Sequence, residues 1–511
     1  MKRRLIILFV LIFTALFAIA CTAQTEEAKR EQTETKTEAT ENAEDTKGAE
    51  EETEEEDNIN LIGKLQLSES SGRIGDKIGV SAEDLYPNEE LQVIYIDMEG
   101  RYNIGDDHYS FKGTLYDRKE VEVASGIADE NGKWEGSFTI PEGFGDDHDV
   151  YIVQKDEKVA KANLFVETVF TIEPESGPIG TEITIRGEGL SWKMYGSLWH
   201  VNYDNKYTGM LTGVSTNGTA EGVIRAAGSK GEHTITIESG SSGTPFMNRN
   251  ESAINYISTH YFTFTITDDI PKSTDPYVEE PPEPADGGIV LPDPENKDGV
   301  KISLDKEEGT VGEKVTLTGE GLPENSEVVF DWHTMVGNRV TPEGFSSEVW
   351  ELGKTKTDEN GTFTYPFEVP DDLGGLPHLI DVKIGDEVVG QTYLRILPSI
   401  VSIEPKEGPP GTLVTVEIKG SGWTEYDNAL AVTYDNASIG YICGFNSQGT
   451  IKLPFLASGE PGYHVVDIYP SIYQGKMQLP DLYVKPQLTY RLDHPGTGIP
   501  ALRTYFKVTE E

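Results

Sequence analysis

The sequence predicts an all-β protein built from four tandem β-sandwiches, and three observations support this prediction. Residues 172–209 match residues 403–440 at one constant offset, without a gap. A Gly-x-x-Gly turn followed by alternating apolar residues occurs four times along the chain. Asn-Gly, a strong short signal for a β-hairpin, stands between apolar runs in two of these four segments. Short strands separated by turns at intervals of about 8–12 residues are typical of sandwiches.

The long repeat indicates that the chain contains a duplicated unit. The tripeptide Tyr-Asp-Asn at 203–205 recurs at 434–436, and His233 corresponds to His464 at the same offset. Duplicated modules usually stack next to one another and present surfaces, and they seldom build a single catalytic cleft. The repeat therefore predicts an architecture, and it does not identify a ligand.

Each of the four segments opens with a turn whose second glycine we expect to be structural. Apolar residues stand three and five positions after this glycine, as Ile183 and Ile185 do after Gly180. This period of two indicates a half-buried strand. Glycine adopts the positive φ of a type II turn at little energetic cost. The predicted turn glycines are Gly75, Gly180, Gly312 and Gly411.

The first and third segments share a further hairpin signal, which sets the order of the modules. Asp-Glu-Asn-Gly at 129–132 recurs at 358–361, at nearly the same offset as the longer repeat. The chain is therefore predicted to run A-B-linker-A-B. The predicted boundaries are 60–168 for the first A sandwich, 169–268 for the first B sandwich, 269–298 for a proline-rich linker, 299–398 for the second A sandwich and 399–511 for the second B sandwich.

The entry sequence of the B segments resembles a known family. Ile-Glu-Pro-x-x-Gly-Pro-x-Gly-Thr occurs at 172–181 and again at 403–412, each time followed by an alternating strand. This string is similar to the start of IPT/TIG domains, which are immunoglobulin-like, E-set-like sandwiches common in bacterial surface proteins. The resemblance implies a role at the cell surface and does not specify a ligand, because this fold hosts many functions. The A segments share only the turn and strand pattern, so the resemblance implies an immunoglobulin-like fold for them.

The N-terminus predicts export and a lipid anchor. Basic residues at 2–4 precede an uncharged apolar run from Leu5 to Ala20, which is shorter than the roughly 20 residues that a membrane-spanning helix needs. We therefore interpret residues 1–21 as a signal peptide. Small residues directly before Cys21 resemble the lipobox of bacterial lipoproteins, which implies that Cys21 is lipidated. The alternative is an ordinary secretory signal in which the cysteine is incidental.

Composition predicts a tether, a spacer and a set of excluded partners. Residues 22–59 are rich in Glu and Thr and almost lack large apolar side chains, so we expect a disordered acidic tether. The prolines clustered within 269–298 are typical of a semi-rigid spacer.

The net charge of −46 repels phosphate backbones and anionic lipids. We therefore expect no nucleic-acid partner, and membrane contact only through the N-terminal lipid.

The sequence contains no motif that predicts catalysis. Metalloprotease His-Glu-x-x-His, Cys-x-x-Cys, Gly-x-Ser-x-Gly and phosphate-binding loops are all missing from it. A nucleophile or base needs a positioned partner, and the nine histidines are scattered. We therefore expect a protein that is not an enzyme and has no cofactor.

Two acidic loops in the first A segment suggest a calcium site. They contain Asp106 and Asp107 in one loop and Asp146, Asp147 and Asp149 in the other. Calcium takes six to eight oxygen ligands, and neither loop has the alternating carboxylates of an EF-hand. The alternative is a pair of solvated acidic turns.

Aromatic residues in the first B segment suggest a glycan site. Trp199 and Tyr207 have no aromatic counterpart in the second copy, where Leu430 and Ser438 stand. If they are exposed, their rings could stack on sugars; the aromatics shared by both copies are better explained as core.

The sequence as a whole predicts a lipid-anchored protein on the outer face of the cell membrane or on the outer membrane. Its expected role is display, adhesion or envelope assembly through binding of a surface protein or a glycan. The alternative is a carbohydrate-binding module that is accessory to an extracellular enzyme or transporter.

Overall fold

The computed structural model describes residues 61–106, 108, 110–193, 196–241, 244–248, 251, 259–279, 291–337, 345–472, 484–496, 498 and 500–510. Strands and turns make up nearly all of these ranges, with a 3₁₀ turn at Phe445–Ser447. The predicted all-β fold class is confirmed. No helix within the described ranges has the length and apolar character to cross a membrane. The predicted signal peptide, the lipidation site Cys21 and the acidic tether lie outside the described residues.

The first pair of sheets is formed by residues 64–166. A three-stranded sheet of order β1-β3-β6 faces a five-stranded sheet of order β2-β8-β7-β4-β5. Apolar side chains from both sheets, such as Ile78 and Val150, form one buried core between them. The strands are β1 Lys64–Leu67, β2 Ser71–Gly72, β3 Lys77–Glu83, β4 Glu90–Ile104, β5 Phe111–Ile127, β6 Trp134–Thr139, β7 Asp146–Gln154 and β8 Glu157–Val166.

The second pair of sheets follows directly and repeats this arrangement. Its strands are β9 Val169–Glu173, β10 Ser176–Gly177, β11 Glu182–Glu188, β12 Trp199–Tyr203, β13 Lys206–Leu211, β14 Ala220–Arg225, β15 Gly231–Ser241, β16 Thr244–Pro245 and β17 Thr259–Ile266. The orders are β14-β11-β9 and β10-β17-β15-β12-β13, with β16 paired to β15. After it comes β18, Tyr277–Val278, within the proline-rich segment.

The third pair of sheets corresponds to the first. Its strands are β19 Lys301–Leu304, β20 Glu308–Thr310, β21 Lys314–Glu320, β22 Glu327–Gly337, β23 Phe345–Lys356, β24 Phe363–Glu368, β25 His378–Ile384 and β26 Glu387–Leu397. They form sheets of order β19-β21-β24 and β20-β26-β25-β22-β23. The core between the sheets contains Trp332, Val382 and Leu394.

The fourth pair of sheets corresponds to the second. Its strands are β27 Ser399–Glu404, β28 Glu407–Gly408, β29 Leu413–Lys419, β30 Ala429–Tyr434, β31 Ala437–Ile442, β32 Ile451–Leu456, β33 Gly462–Ser471 and β34 Leu502–Val508. The orders are β27-β29-β32 and β18-β34-β33-β30-β31, with β28 paired to β34.

The strand order is immunoglobulin-like in all four sheet pairs. The first strand lies in the small sheet, and a short second strand then crosses to the large sheet, where it runs parallel to the last strand, as β2 does with β8. The same parallel pairing joins β10 to β17, β20 to β26 and β28 to β34. The N-terminal part of each sandwich is thus divided into two strands, one in each of the two sheets.

The turn glycines stand where the chain leaves that short parallel strand. Gly75, Gly180, Gly312 and Gly411 have φ values of 88°, 80°, 81° and 88°. Such positive values are accessible to glycine and strained for most other residues. Each glycine N–H also donates to a backbone carbonyl just beyond the strand that pairs with the following strand. Gly75, for example, donates to Ile140, which follows β6, at 3.0 Å. The turn therefore aligns the following strand with its sheet.

The proline-rich segment does more than separate the two copies. Its strand β18 pairs antiparallel with β34, with Tyr277 opposite Arg503. The linker expected at 269–298 thus supplies an edge strand to the fourth sandwich, because its prolines end before Tyr277 and resume after Glu279.

Candidate functional site

The acidic residues suggested as calcium ligands are not brought together. Asp106 is exposed at a turn, and Asp107 lies outside the described residues. Asp146 is buried, where its carboxylate accepts hydrogen bonds from Ser191 Oγ and Lys193 Nζ, both at 2.8 Å. Alternate residues of β7 face opposite sides of the sheet, so Asp146 lies on the other face from Asp147 and Asp149.

The remaining acidic side chains of that loop are also engaged separately. Asp147 is exposed, whereas Asp149 accepts hydrogen bonds from Tyr151 and Asn163 at 3.0 Å and lies 2.9 Å from Lys161 Nζ. In the part of the chain that the structure describes, no three acidic, histidine or cysteine side chains are grouped so as to hold a metal ion.

The two aromatic residues suggested as sugar platforms are not exposed platforms. Trp199 is 2% exposed; its ring packs 4.9 Å from Phe170, and its Nε1 donates to the Gly196 carbonyl at 3.0 Å. Tyr207 is half-buried beneath the ammonium of Lys485, 5.5 Å from its ring. The ligand role of Trp199 required exposure and is therefore wrong, because its position in β12 alternates inward with Val201.

The repeated histidines anchor a hairpin turn in both copies. His233 Nδ1 lies 2.6 Å from Asp204 Oδ2, and His464 Nδ1 lies 2.5 Å from Asp435 Oδ2. In each case Nε2 faces a backbone carbonyl, that of Ser229 at 2.7 Å for His233. Both ring nitrogens thus face acceptors in each copy, and at His464 a doubly protonated imidazolium satisfies them.

The environment of His464 favours this charged form. Burial lowers its pKa, but the hydrogen bond and charge of Asp435 outweigh the burial, so the pKa lies above its ordinary value. The ring also stacks on Tyr434 at 5.4 Å, as His233 does on Tyr203 at 5.5 Å. These His-Asp pairs secure the turn, and both ring nitrogens are already occupied.

Each A sandwich meets the following B sandwich through the same contact. Gly145 N–H donates to the Leu190 carbonyl at 3.0 Å, and the corresponding Gly374 N–H donates to Ser421 at 2.8 Å. A methyl group on Gly145 would lie 1.9 Å from the Gly189 carbonyl oxygen. Glycine is therefore required for this backbone approach, and the A-B pair is a repeated unit.

The second and fourth sandwiches meet through a buried cluster of charges. This junction cluster consists of Arg225 from β14, Glu279 after β18, Asp467 from β33, Arg491, and Arg503 from β34. Arg225, Asp467 and Arg503 are 0% exposed, and Glu279 is 5% exposed. Charges so deeply buried are tolerated only when paired and hydrogen-bonded.

Arg225 reaches across the junction into the fourth sandwich. Its Nε donates to Asp467 Oδ1 at 2.7 Å, and its Nη2 donates to the carbonyls of Val466 at 3.2 Å and Thr504 at 2.6 Å. Its guanidinium lies 4.4 Å from the ring centre of Tyr505. Burial lowers the pKa of Arg225, but Asp467 together with Tyr505 and Tyr277 outweighs burial, so the pKa lies above its ordinary value.

Glu279 binds the second half of the cluster. Arg503 Nε donates to its Oε1 at 2.9 Å, Arg491 Nη2 donates to its Oε2 at 3.0 Å, and Tyr490 donates a short hydrogen bond to Oε2. Burial raises the pKa of Glu279, but Arg503 and its other donors outweigh burial and hold the pKa below its ordinary value. The linker segment is thereby joined to the fourth sandwich by buried ion pairs as well as by strand pairing.

Edge strands of the second sandwich are covered at the same junction. The Val223 carbonyl on β14 accepts from Tyr469 and Arg503, both at 3.4 Å. On β13, Met210 N–H donates to Pro486 at 2.9 Å, and its carbonyl accepts from Leu488 at 2.9 Å. Unpaired strand edges otherwise invite association with other chains.

The first sandwich also touches the fourth. Phe111 N–H, at the start of β5, donates to Glu425 Oε2 at 2.8 Å, and Tyr426 donates a short hydrogen bond to the His108 carbonyl. Asp493, 0% exposed, accepts from the N–H groups of Val214 at 2.9 Å and Ser215 at 2.8 Å. Tyr102 of the first sandwich donates to the Asp493 carbonyl at 3.5 Å, so the first, second and fourth sandwiches converge around residue 493.

The sequence analysis did not predict the junction cluster, because its residues do not recur at the equivalent positions of the other copy. At the offset of the long repeat, Arg225 corresponds to Leu456, and Asp467 corresponds to Thr236. A search for shared residues excludes such positions. The available signal was the appearance of Asp467 and Arg503 at outward positions of strands that otherwise read as apolar or Thr-rich.

Comparisons with known proteins find only matches of very low similarity. No protein-family model and no curated protein matches the sequence. Among solved structures, a mutant Salmonella alpha-2-macroglobulin is 9% identical, with a TM-score of 0.20, over 88% of this chain and 32% of that protein. The chain thus spans about a third of the macroglobulin.

Two smaller proteins give matches of the same quality. A four-domain ectodomain fragment of ICAM-5 is 10% identical over 87% of this chain and 99% of that fragment, with a TM-score of 0.18. A protein described as membrane-anchored, from Corynebacterium diphtheriae, is 10% identical over 65% of this chain and 89% of its own, with a TM-score of 0.18. The functional interpretation of the chain therefore depends on its own residues.

Proposed function

We propose that this chain is an exported, lipid-anchored and non-enzymatic surface protein that serves as a scaffold in display, adhesion or envelope assembly. The observation that carries the proposal is the junction cluster. It joins the two copies of the A-B unit through buried charges, so their binding surfaces are held in a fixed relation. Independent binding modules on a flexible string have no need of such a junction.

The engagement of the polar side chains supports a non-enzymatic role. His233 and His464 have both ring nitrogens occupied, and the carboxylates of Asp204 and Asp435 hold a backbone N–H as well. A general base needs a free lone pair within reach of a substrate proton. We therefore assign these groups the role of stabilising turns and no role in proton transfer.

Lipid anchoring is supported by the residues that precede Cys21 and by the charge of the chain. A lipid on Cys21 would hold a strongly acidic protein at a membrane that otherwise repels it. The IPT/TIG-like start of the two B sandwiches supports a surface role of the same kind. We propose a surface protein or a glycan as the partner of the assembled sandwiches.

The carbohydrate-binding alternative has lost its two proposed residues. Trp199 belongs to the core, and Tyr207 is half-buried. No described residue favours a glycan partner. A binding screen on the chain, with and without calcium, tests for one.

Metabolic labelling with an alkyne fatty acid tests the anchor and the location together. Cells that express the full chain should incorporate the label, and protease added to intact cells should degrade the protein. Cys21→Ser should lose both the label and the membrane association, whereas the matched variant Cys443→Ser should keep them. Retention of label in Cys21→Ser, or protection from protease, would contradict the proposal.

A further inference from the structure

The junction between the second and fourth sandwiches joins two different faces. Among the described residues, each of these two sandwiches also has an exposed equivalent of the face that the other contributes. The second sandwich contributes the outer face of β11 and β14, where Glu182 lies opposite Arg225. The fourth contributes the outer face of β33 and β34, where Asp467 lies opposite Arg503. An interface between unlike faces can be repeated by a further copy.

The fourth sandwich carries an exposed equivalent of the first of these faces. The register pair Leu413–Leu456 on β29 and β32 corresponds to the pair Glu182–Arg225. Leu413 is 60% exposed and Leu456 is 61% exposed, and Pro454, two positions before Leu456 on β32, is exposed as well. We call these three residues the leucine face.

The second sandwich carries an exposed equivalent of the other face. The register pair Thr236–Tyr261 on β15 and β17 corresponds to the pair Asp467–Arg503. Tyr261 is 75% exposed, and Thr263 next to it is exposed too. We call Thr236, Tyr261 and Thr263 the tyrosine face.

The leucine face and the tyrosine face differ from the formed junction in a matched way. Where Arg225 meets Asp467 in the formed junction, the equivalent positions hold Leu456 and Thr236, so both charges are lost at once. A leucine opposite a buried aspartate would leave it without a cation from the facing sandwich, whereas leucine opposite threonine and tyrosine leaves no charge without one. Exposed large apolar side chains on both faces are typical of an interaction site.

Space for an incoming side chain is also present. In the formed junction, a methyl group on Gly180 would strike the Tyr505 hydroxyl, so that ring lies against the turn. The equivalent Gly411 keeps the same positive φ, and none of the described residues places an atom within 4 Å of a methyl group there. The turn beside the leucine face is thus preserved and open on its described side.

We propose that copies of this chain associate head to tail, with the leucine face of one copy on the tyrosine face of the next. The contact repeats between copies the junction that is formed within one copy, with apolar contact in place of the ion pair. Because the two faces are unlike, association leads to open chains or closed rings of copies and is not limited to a dimer. A surface scaffold thereby extends along the membrane.

Disulfide trapping in the full chain on intact cells tests the contact. In a Cys443→Ser background, the pair Thr236→Cys and Leu456→Cys should give a ladder of dimers, trimers and larger species on a non-reducing gel, and reductant should collapse it. Each single variant should give no ladder. The control pair Val388→Cys and Ile439→Cys replaces exposed apolar residues elsewhere. A ladder of equal strength from the control pair, or none from the test pair, would overturn the proposal.

A charge pair provides a second test that does not depend on cysteine chemistry. Leu456→Arg alone should weaken self-association of the detergent-solubilised full chain by about tenfold or more in sedimentation velocity. Adding Thr236→Asp recreates the Arg225–Asp467 pair between copies and should restore association. If Leu456→Arg leaves association unchanged, or Thr236→Asp fails to rescue it, the proposed contact is wrong.

Discussion

Arg225 of the second sandwich and Asp467 of the fourth form a fully buried ion pair, with 2.6 Å between Nη2 and Oδ1. The two residues are 242 positions apart in the chain. The first B sandwich has Thr236 in place of Asp467, and the second has Leu456 in place of Arg225. The pair is therefore specific to the contact between the copies.

Breaking this pair from one side should destabilise the protein strongly. Arg225→Ala leaves the buried Asp467 with only the longer contact to Arg503, at 3.4 Å, and leaves the carbonyls of Val466 and Thr504 without their donor. We expect a loss of about 3 kcal/mol in the free energy of unfolding. The control Arg186→Ala removes an exposed arginine 3.1 Å from Glu188, and it should cost about 1 kcal/mol or less. Denaturant unfolding of both variants measures the difference. Equal effects would contradict the assignment of the pair to a closed junction.

Alanine at either A-B contact glycine should weaken the unit in both copies. A Cβ on Gly374 would lie 2.0 Å from the Gly420 carbonyl oxygen, as that on Gly145 would from Gly189 at 1.9 Å. Backbone cannot yield cheaply, so we expect a loss of about 1–3 kcal/mol.

Thermal unfolding of the glycine variants supplies the measurement. Gly79→Ala is the matched control, because its added methyl meets only the Ser68 side chain, at 3.2 Å. Its melting temperature should stay close to that of the parent. A neutral Gly374→Ala would show that the A and B sandwiches separate without cost.

The stability contributed by His464 should fall as the pH rises. Burial opposes protonation of His464, but Asp435 raises its folded pKa above the ordinary 6.5. A raised folded pKa contributes stability that is complete below the unfolded pKa and is lost as the pH rises through the folded pKa. Nearby Lys206 opposes the shift.

Comparison with Asp435→Asn isolates this contribution. Unfolding free energies of the parent and of the variant, measured between about pH 5 and pH 9, should differ most at the acidic end and converge at the basic end. A difference that grows as the pH rises would show that the imidazole is neutral in the folded protein.

Removal of Trp199 should damage folding and leave no specific binding defect. Trp199→Ala empties a buried ring position, and we expect a loss of about 3–5 kcal/mol. The control Trp350→Ala removes a ring that is 38% exposed and should cost much less. Calorimetry and a glycan array on the same preparations distinguish the two roles. Loss of glycan binding with unchanged stability would restore Trp199 as a ligand residue.

The fold was accessible from the sequence where local chemistry determines structure. Gly180 and Gly411 mark turns because few other residues adopt their φ, and the alternation at Ile183 and Ile185 points both side chains into the core. Nine residues after the turn glycine, the other three segments have a second glycine with positive φ, namely Gly189, Gly321 and Gly420. The first segment has Asp84 there, with a φ of 59°, and Asp is among the few other residues that adopt this region. Short-range geometry of this kind is written in the sequence.

Contacts between sandwiches were not accessible in the same way. Trp192, which the repeat shares with Trp423, belongs to the shared aromatics that were expected in a core. It lies instead between the first two sandwiches, with its ring centre 5.2 Å from that of His148. Similarly, Tyr426 reaches the His108 carbonyl of the first sandwich. Such contacts depend on how two finished surfaces meet, and no period in a single segment records that. The buried ion pairs were missed for a different reason, because they lie at positions where the two copies of the repeat have different residues.

Strand β18 has a consequence for the order in which the protein is assembled. Tyr277 and Val278 pair with Arg503 and Leu502, across the whole of the second A-B unit. Pairing across such a distance is slow and cannot begin until both strands are present. The edge of the last sheet therefore forms only after β34 has been synthesised. A completed fourth sandwich thus indicates that both copies of the A-B unit have been synthesised.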